Sequence, residues 1–321
     1  AGVVSTGDDF YGKADEELAF AALERDMLRH VPLPWFTALG NHDLGRTLAL
    51  QRRRHGCSGP AVAGGTFGGR WTWLCPSVGA YSAGEELARC CPEAPRFPEG
   101  LVDLVAVNTN KFLMPAESGG PTWEGQKRWL RDRLAGSQAR WKVVIGHHPI
   151  EFVPQSLLEH AIPGLRYFTA TFMSGKPLVK KVFSRSLADA MILGGADAYV
   201  CGHQHLLAHL LRRSPPRRLS VSRAPGHRKD FNYFIVGSSS KTERGRAPSR
   251  WSRLCYKLEK VRCKMREFWW QSTIGFATLQ VTPEQLSVEF FAVGSDGRAR
   301  RVYRKSQPGE GVSDGSSAGR K

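Results

Sequence analysis

The chain has 321 residues, of which 41% are hydrophobic and 23% charged, the composition of an ordinary globular protein. No apolar run approaches the length of a membrane-spanning helix, so we expect no membrane span. The formal net charge of +17 is spread over several basic stretches and favours anionic partners such as phosphoesters, nucleic acid or anionic lipid. Solubility is the plainer explanation for most of these charges, and contact with polyanions through the basic loops stays open.

Apolar and β-branched runs predict eight strands, at residues 3–5, 35–39, 101–107, 142–145, 198–201, 233–236, 276–281 and 286–293. Three helical patterns lie among them. Their apolar faces are formed by Phe20, Leu23 and Met27, by Trp123, Leu130 and Leu134, and by a stripe from Val179 to Leu187. Alternating strands and helices predict a layered α/β domain, and the last two strands predict an antiparallel pair.

Two regions interrupt this plan. Residues 51–100 are rich in Gly, Pro and Cys and predict an irregular insertion, and residues 212–230 form a basic, proline-containing loop. Residues 306–321 are rich in Gly and Ser and predict a disordered tail, which leaves residues 1–305 as one domain. Four of the seven cysteines lie between positions 57 and 91, as in a disulfide-stapled segment of an oxidising compartment.

Four of the predicted strands end in a glycine followed by side chains that bind metals. The four segments are Gly7-Asp8 with Tyr11, Gly40-Asn41-His42, Gly146-His147-His148 and Gly202-His203-Gln204-His205. Any one of them alone indicates a turn or a structural histidine, but four in series are hard to attribute to chance. Carboxylate, phenolate, amide and imidazole donors suit iron, zinc or manganese rather than a thiolate site. Two such ions about 3.5–4 Å apart clamp a phosphoester for in-line displacement, so the motifs predict metal-assisted phosphoester hydrolysis.

Over roughly residues 1–303 the series resembles the metallophosphoesterase superfamily, specifically the tartrate-resistant, animal-type purple acid phosphatases. The family motifs Gly-Asp-x-x-Tyr, Gly-Asn-His, Val-x-x-His and Gly-His-x-His match residues 7–11, 40–42, 144–147 and 202–205. The resemblance implies a calcineurin-like αββα sandwich, in which two mixed β-sheets are flanked by helices. It also implies a dinuclear centre of Fe(III) and a second divalent metal (Fe, Zn or Mn), and a secreted or lysosomal/vacuolar protein.

The resemblance further implies a role for each matched side chain. The metal ligands are Asp8, which bridges the two ions, Tyr11 and His205 on the ferric ion, and Asn41, His147 and His203 on the divalent ion. His42 contacts the substrate phosphate, and His160 is a second substrate-side histidine, matched loosely because its spacing from His147 is long. The implied reaction is hydrolysis of small phosphomonoesters, with metal-bound hydroxide attacking phosphorus in line and His42 or His160 stabilising the oxyanion or protonating the leaving group.

Two alternatives stay open. One is a two-metal phosphodiesterase or nucleotide phosphoesterase using Mn or Zn, and the other is a catalytically degenerate, basic phosphate-binding module.

The sequence also departs from the family pattern. The first family motif, Asp-x-Gly, is expected upstream of residue 1, so we expect the sequence to begin partway into the domain. Asn108 stands where a strand-end Asp is expected. His148 adjoins a proposed ligand, but the family placement favours His147. We expect Cys201 to be a buried packing thiol and His209 to lie at the surface or around the site.

Overall fold

The computed structural model describes residues 1–10, 15–28, 30–31, 33–53, 56–58, 71–74, 81–90, 100–110, 122–150, 187–212, 231–239, 242 and 265–309. The strands are β1 (Val3–Ser5), β2 (Pro34–Thr37), β3 (Gly56–Ser58), β4 (Trp71–Leu74), β5 (Tyr81–Ser82), β6 (Val102–Ala106), β7 (Trp141–Ile145), β8 (Ala198–Cys201), β9 (Leu207–Arg212), β10 (Phe231–Val236), β11 (Met265–Gln271), β12 (Gly275–Val281), β13 (Gln285–Val293) and β14 (Ala299–Pro308). The helices are α1 (Glu16–Leu23) with a π-helical continuation (Glu24–Leu28), α2 (Arg46–Arg53), α3 (Ala83–Cys90), α4 (Trp123–Gly136) and a segment over residues 187–194.

The strands form three sheets in the described part of the chain. The first has four strands in the order β1-β2-β4-β3, and the second has seven in the order β11-β9-β10-β8-β7-β6-β5. Both are mixed, and β12, β13 and β14 form a third, antiparallel sheet. The two mixed sheets with their helices confirm the predicted layered α/β class.

Apolar packing holds these layers together. Helix α4 and the 187–194 helix cover one face of the seven-stranded sheet through residues such as Leu130 and Met191. The antiparallel sheet covers the other face, where Val288 and Phe290 pack on Trp141 and Phe234. Helices α1 and α2 pack on the four-stranded sheet around Phe20. Because burial of apolar surface is the main stabilising contribution, these clusters fix where the strand ends meet.

All eight predicted strands are present, with ends shifted by no more than two residues. The last two are antiparallel, as predicted, and β14 extends their sheet. Strand β14 runs to Pro308, so the beginning of the predicted disordered tail is ordered, whereas residues 310–321 lie outside the described residues. The 51–100 segment contains more regular structure than its composition predicts, with strands β3, β4 and β5 and helix α3.

The first helical face differs from its prediction. Phe20 is fully buried as expected, but Met27 is 45% exposed and Leu28 takes its place in the core. The cause is the change to π-helix at Glu24, since a wider turn delays the return of a side chain to the same face by about one residue. On α4, Trp123, Leu130 and Leu134 are buried as predicted.

Some sequence predictions fall largely or wholly outside the described residues. Of the third helical stripe only Leu187 is described, and it is buried. Within the basic 212–230 loop, only Arg212 is described. Among the described helices, none is long and apolar enough to cross a membrane.

Candidate metal centre

The carboxyl ends of the parallel strands carry the predicted metal-binding segments. Strand β1 is parallel to β2, and β7 is parallel to both β6 and β8. In open α/β sheets, sites form at such carboxyl ends because rigid strands aim the loops that follow them. The two mixed sheets meet here: the Oγ1 of Thr6 donates to the carbonyl of Val236 across 3.0 Å.

Four side-chain atoms from four loops converge on one point. The Nε2 of His147 lies 3.1 Å from the Oδ1 of Asn41, 3.2 Å from the Nδ1 of His203 and 3.3 Å from the Oδ2 of Asp8. The Nδ1 of His203 lies 3.1 Å from the same Asn41 oxygen. The structure therefore brings together Asp8, Asn41, His147 and His203.

These separations fit a metal ion. Nitrogen and oxygen ligands held about 2.0–2.2 Å from one ion, at tetrahedral or octahedral angles, are separated from each other by about 3.0–3.5 Å. The atoms that meet are a carboxylate oxygen, an amide oxygen and two imidazole nitrogens, all of which are electron-pair donors to metals. Crowding such atoms together in a largely buried place is unfavourable unless a positive charge lies among them.

A backbone carbonyl sets the orientation of the His147 ring. Its Nδ1 lies 2.8 Å from the carbonyl oxygen of Thr6, which only accepts, so Nδ1 carries the hydrogen. The Nε2 of neutral His147 therefore presents its lone pair to the other three donors. This is the outer hydrogen bond that usually accompanies a metal-binding histidine.

Charges at the site favour a cation. Burial alone raises the pKa of Asp8, but its hydrogen bond and charge interaction with His147 and the backbone N–H of His42 outweigh burial, so the pKa lies well below its usual range. Burial lowers the pKa of His147, but Asp8 outweighs that effect and the pKa is raised. Asp8 thus stabilises a positive charge at His147 Nε2, whether a proton or a metal.

Two of the four residues have strained backbones. The φ angles are 60° at Asp8 and 66° at His203, and they are the only positive values at non-glycine residues in the described part of the chain. This left-handed conformation costs about 1–3 kcal/mol per residue and persists where the surroundings impose it, commonly at functional sites. That both fall on converging residues is an indication, independent of their distances, that this region is functional.

The turn at Gly40 approaches Asp8 so closely that no side chain fits there. A Cβ atom on Gly40 would lie 2.0 Å from the Oδ1 of Asp8. The buried Asp43 joins the two turns, because its Oδ2 accepts the backbone N–H groups of Asp8 at 2.7 Å and Gly40 at 2.8 Å. Burial, together with the charge of Asp8, raises the pKa of Asp43 to about 6, although the Gly40 N–H opposes the shift.

The roles of the other predicted site residues stay predictions. Two of them, Tyr11 and His160, lie outside the described residues. His205 is half-buried, two residues beyond His203, and is absent from the group of described histidines whose ring nitrogens lie together. His42 is exposed, and its backbone N–H donates to the Oδ1 of Asp8 across 2.9 Å.

A third imidazole lies beside the converging atoms. One ring nitrogen of each of His147, His148 and His203 lies within 4.8 Å of those of the other two. His148 is buried, and its ring centroid is 4.7 Å from that of His203. The sequence prediction favoured His147 over His148 because of its placement in the family motif, whereas the turn after β7 brings both rings together beside His203.

Sequence reasoning missed the supporting residues Thr6 and Asp43. Thr6 acts through its backbone carbonyl, which leaves no signal in a sequence. Asp43 follows Asn41-His42, and its position next to a ligand motif is the one signal that identifies it.

His209, expected at the surface or around the site, is fully buried in β9, where it contacts the Tyr303 hydroxyl at 2.7 Å and the Asn232 Oδ1 at 3.0 Å. Cys201 is a buried free thiol, as expected.

A sequence profile described as calcineurin-like phosphoesterase matches residues 2–207, which is more than half of the chain. The chain therefore belongs to the calcineurin-like phosphoesterase family.

Individual relatives are acid phosphatases. Tartrate-resistant acid phosphatase type 5 of Oryctolagus cuniculus is 23% identical over 302 residues, covering 90% of this chain and 74% of that protein. Purple acid phosphatase 4 of Arabidopsis thaliana is 24% identical over 309 residues, covering 92% and 71%.

Solved structures show the same fold. GAP50, the anchor in the inner membrane complex of Plasmodium, superposes with a TM-score of 0.56 at 15% identity, covering 97% of this chain and 79% of that one. A purple acid phosphatase from yellow lupin (Lupinus luteus) seeds gives a TM-score of 0.52 at 14% identity, covering 94% and 46%. At these identities the similarity concerns architecture, and the resemblance inferred from the motifs agrees with it.

Proposed function

We propose that the protein hydrolyses phosphomonoesters with a dinuclear metal centre of the purple acid phosphatase type. The observation that carries the proposal is the convergence of four side chains on one point. Donor atoms of Asp8, Asn41 and His203 lie 3.1 to 3.3 Å from His147 Nε2. The His203 and Asn41 atoms are also 3.1 Å from each other. The family match and the acid phosphatase relatives support the reaction class.

In this proposal the four converging residues would hold the divalent ion. Asp8, Tyr11 and His205 would hold Fe(III). When bound, such a metal pair supplies the charge neutralisation and the acidified water that in-line hydrolysis at phosphorus requires. Iron with zinc, manganese or a second iron fits the oxygen and nitrogen donors present.

The other residues hold the ligands or the substrate. Thr6 and Asp43 orient the ligand loops through the hydrogen bonds described above. His42, exposed next to Asn41, receives the substrate phosphate and stabilises the charge that develops on it, and His160 shares this role.

Residues 1–305 form one catalytic domain, and we place the protein in a secreted or lysosomal/vacuolar compartment. Its substrates are small phosphoesters, with the basic loops available to polyanions.

The test is turnover by protein loaded with iron and zinc. The proposal expects hydrolysis of p-nitrophenyl phosphate at acid pH, little hydrolysis of bis(p-nitrophenyl) phosphate, and a visible absorption band from a tyrosinate on Fe(III). Asp8→Ala removes both bound metal and turnover, whereas His209→Ala, which changes a buried histidine of the core, retains both.

The same assay separates the alternatives. Faster hydrolysis of the diester without a visible band would support a two-metal phosphodiesterase instead. Bound phosphate without turnover of either ester would support a phosphate-binding module.

A further inference from the structure

The turn after β6, residues 108–110, contains no predicted metal ligand, yet Asn108, Thr109 and Asn110 are all fully buried beside the ligand loops. We propose that this turn positions the metal ligands by holding two of their loops at once. The inference rests on the proposed metal centre and adds three positioning residues, none of which was predicted as a metal ligand or a substrate contact.

Asn110 holds the turn that presents Asn41. Its Nδ2 donates to the carbonyl oxygen of Leu39 across 2.9 Å and to that of Gly40 across 3.0 Å. The second carbonyl belongs to the peptide unit that links Gly40 to Asn41. Both hydrogens of the Asn110 amide are thus used to orient the backbone immediately before a ligand, across the junction between the two mixed sheets.

Thr109 holds the segment that presents His147. Its Oγ1 accepts the backbone N–H of His148 across 3.2 Å and lies 2.7 Å from the Nδ1 of the same residue. On the other side, the Tyr199 hydroxyl donates to the carbonyl of His148 across 2.8 Å. The peptide unit that follows His147 is therefore fixed, and so is the His148 ring that packs beside His203.

The turn is anchored independently of the ligands it holds. The side chain of Gln126, on α4, accepts the backbone N–H of Asn108 at 2.9 Å and donates to the carbonyl of Asn108 at 3.0 Å. The backbone N–H of Asn110 donates to the Oδ1 of Asn108 across 3.1 Å. Because Gln126 is buried and its helix packs on the seven-stranded sheet, the turn resists displacement and transmits the position of α4 to both ligand loops.

A positioning role and a purely structural role have different consequences. Loss of any buried hydrogen bond lowers stability, but only loss of a positioning bond weakens metal binding by the folded protein. Outer hydrogen bonds of this kind typically contribute about 10–100-fold to metal affinity. Thr109→Val removes the hydroxyl and keeps the shape, Thr109→Ser keeps the hydroxyl, and Asn110→Leu removes both amide donors.

The matched control is Asn232→Leu. Asn232 is also a buried asparagine, whose Nδ2 donates to the carbonyl of Asp197 across 3.3 Å. It pairs with Ala198, the first residue of β8, and so lies at the end of these parallel strands opposite the metal centre. Its loss should lower stability as much as Asn110→Leu without reaching the ligands.

The experiment measures the Kd for zinc of the full chain by competition with a chromophoric chelator, alongside urea unfolding without metal. Thr109→Val and Asn110→Leu should weaken zinc binding by about 10–100-fold, whereas Thr109→Ser and Asn232→Leu should bind like the wild type. Unchanged affinity in Thr109→Val and Asn110→Leu, or equal weakening in Asn232→Leu, overturns the inference while the proposed centre stands. A wild type that binds no zinc overturns the proposed centre itself. If Asn110→Leu does not fold, the Thr109 pair decides.

Discussion

The Oδ2 of Asp8 lies 3.3 Å from the Nε2 of His147, with side chains that are 8% and 0% exposed. Asp8 comes from the loop after β1 in the four-stranded sheet, and His147 from the loop after β7 in the seven-stranded sheet. This contact therefore joins the two mixed sheets at the point where Asn41 and His203 also arrive. A buried carboxylate placed against other electron-pair donors makes the point selective for a cation.

Replacing Asp8 with Asn tests that selectivity for a cation. The amide oxygen can still accept the His42 N–H, but the negative charge is lost. Zinc at about 100 times its Kd should stabilise the wild type by about 2.7 kcal/mol, and Asp8→Asn should lose most of that gain, as measured by urea unfolding with and without zinc. Asp103→Asn is the control, because it breaks the 3.1 Å ion pair with Arg133 and keeps the zinc effect. A full zinc effect in Asp8→Asn would contradict this role.

The strained backbone at His203 gives a second prediction. His203→Ala and His203→Gly both remove the imidazole, but only glycine relieves the left-handed conformation, which costs about 1–3 kcal/mol at other residues. Without metal, His203→Gly should unfold at a higher urea concentration than His203→Ala, although glycine usually destabilises through its greater freedom in the unfolded chain. The opposite order would show that the backbone at this position carries no strain.

The close approach of Gly40 to Asp8 gives a third prediction. Gly40→Ala places a Cβ 2.0 Å from the Oδ1 of Asp8, so the two turns must separate. We expect a loss of at least about 2 kcal/mol in the free energy of unfolding and a loss of zinc binding. Gly136→Ala is the control, because nothing lies within 4 Å of its Cβ and it ends helix α4. Gly136→Ala should be neutral or stabilising, and zinc binding by Gly40→Ala at wild-type affinity would argue against a rigid site.

Tyr199 gives a prediction for pH dependence. Burial, with smaller contributions from Cys201 and Tyr233, raises the pKa of Tyr199 well above its ordinary value. The phenol stays protonated in the folded state and ionises near pH 10 in the unfolded state, so its contribution to stability falls as pH rises above about 10. Tyr199→Phe should be about 1 kcal/mol less stable than the wild type at pH 7, through loss of the hydrogen bond to His148. That deficit should shrink above pH 10, and a constant deficit would contradict the raised pKa.

The sequence predicts the metal centre best where side chains alone determine it. Asp8, Asn41, His147 and His203 each follow a glycine at the end of a strand, and parallel strands bring such ends together. The strands themselves were predictable because their apolar runs are short and bounded by turn residues. The family resemblance identified the same four positions through motif spacing.

What the sequence could not predict depends on long-range contacts. The Thr6 carbonyl leaves no trace in a side-chain pattern, and the two bonds from Asn110 span about 70 residues of chain. The side chain of Gln126, 18 residues along the chain, bonds the backbone of Asn108, and no side-chain pattern predicts such a contact. The α-helical period also did not predict the π-helical turn after Leu23, which brings Leu28 rather than Met27 into the core.

The most direct test of the metal centre is anomalous diffraction at the zinc edge from crystals grown with zinc. The account predicts a peak within about 2.0–2.2 Å of His147 Nε2, His203 Nδ1 and the Asn41 and Asp8 side-chain oxygens. Zinc bound at other residues, with this point left empty, would contradict it.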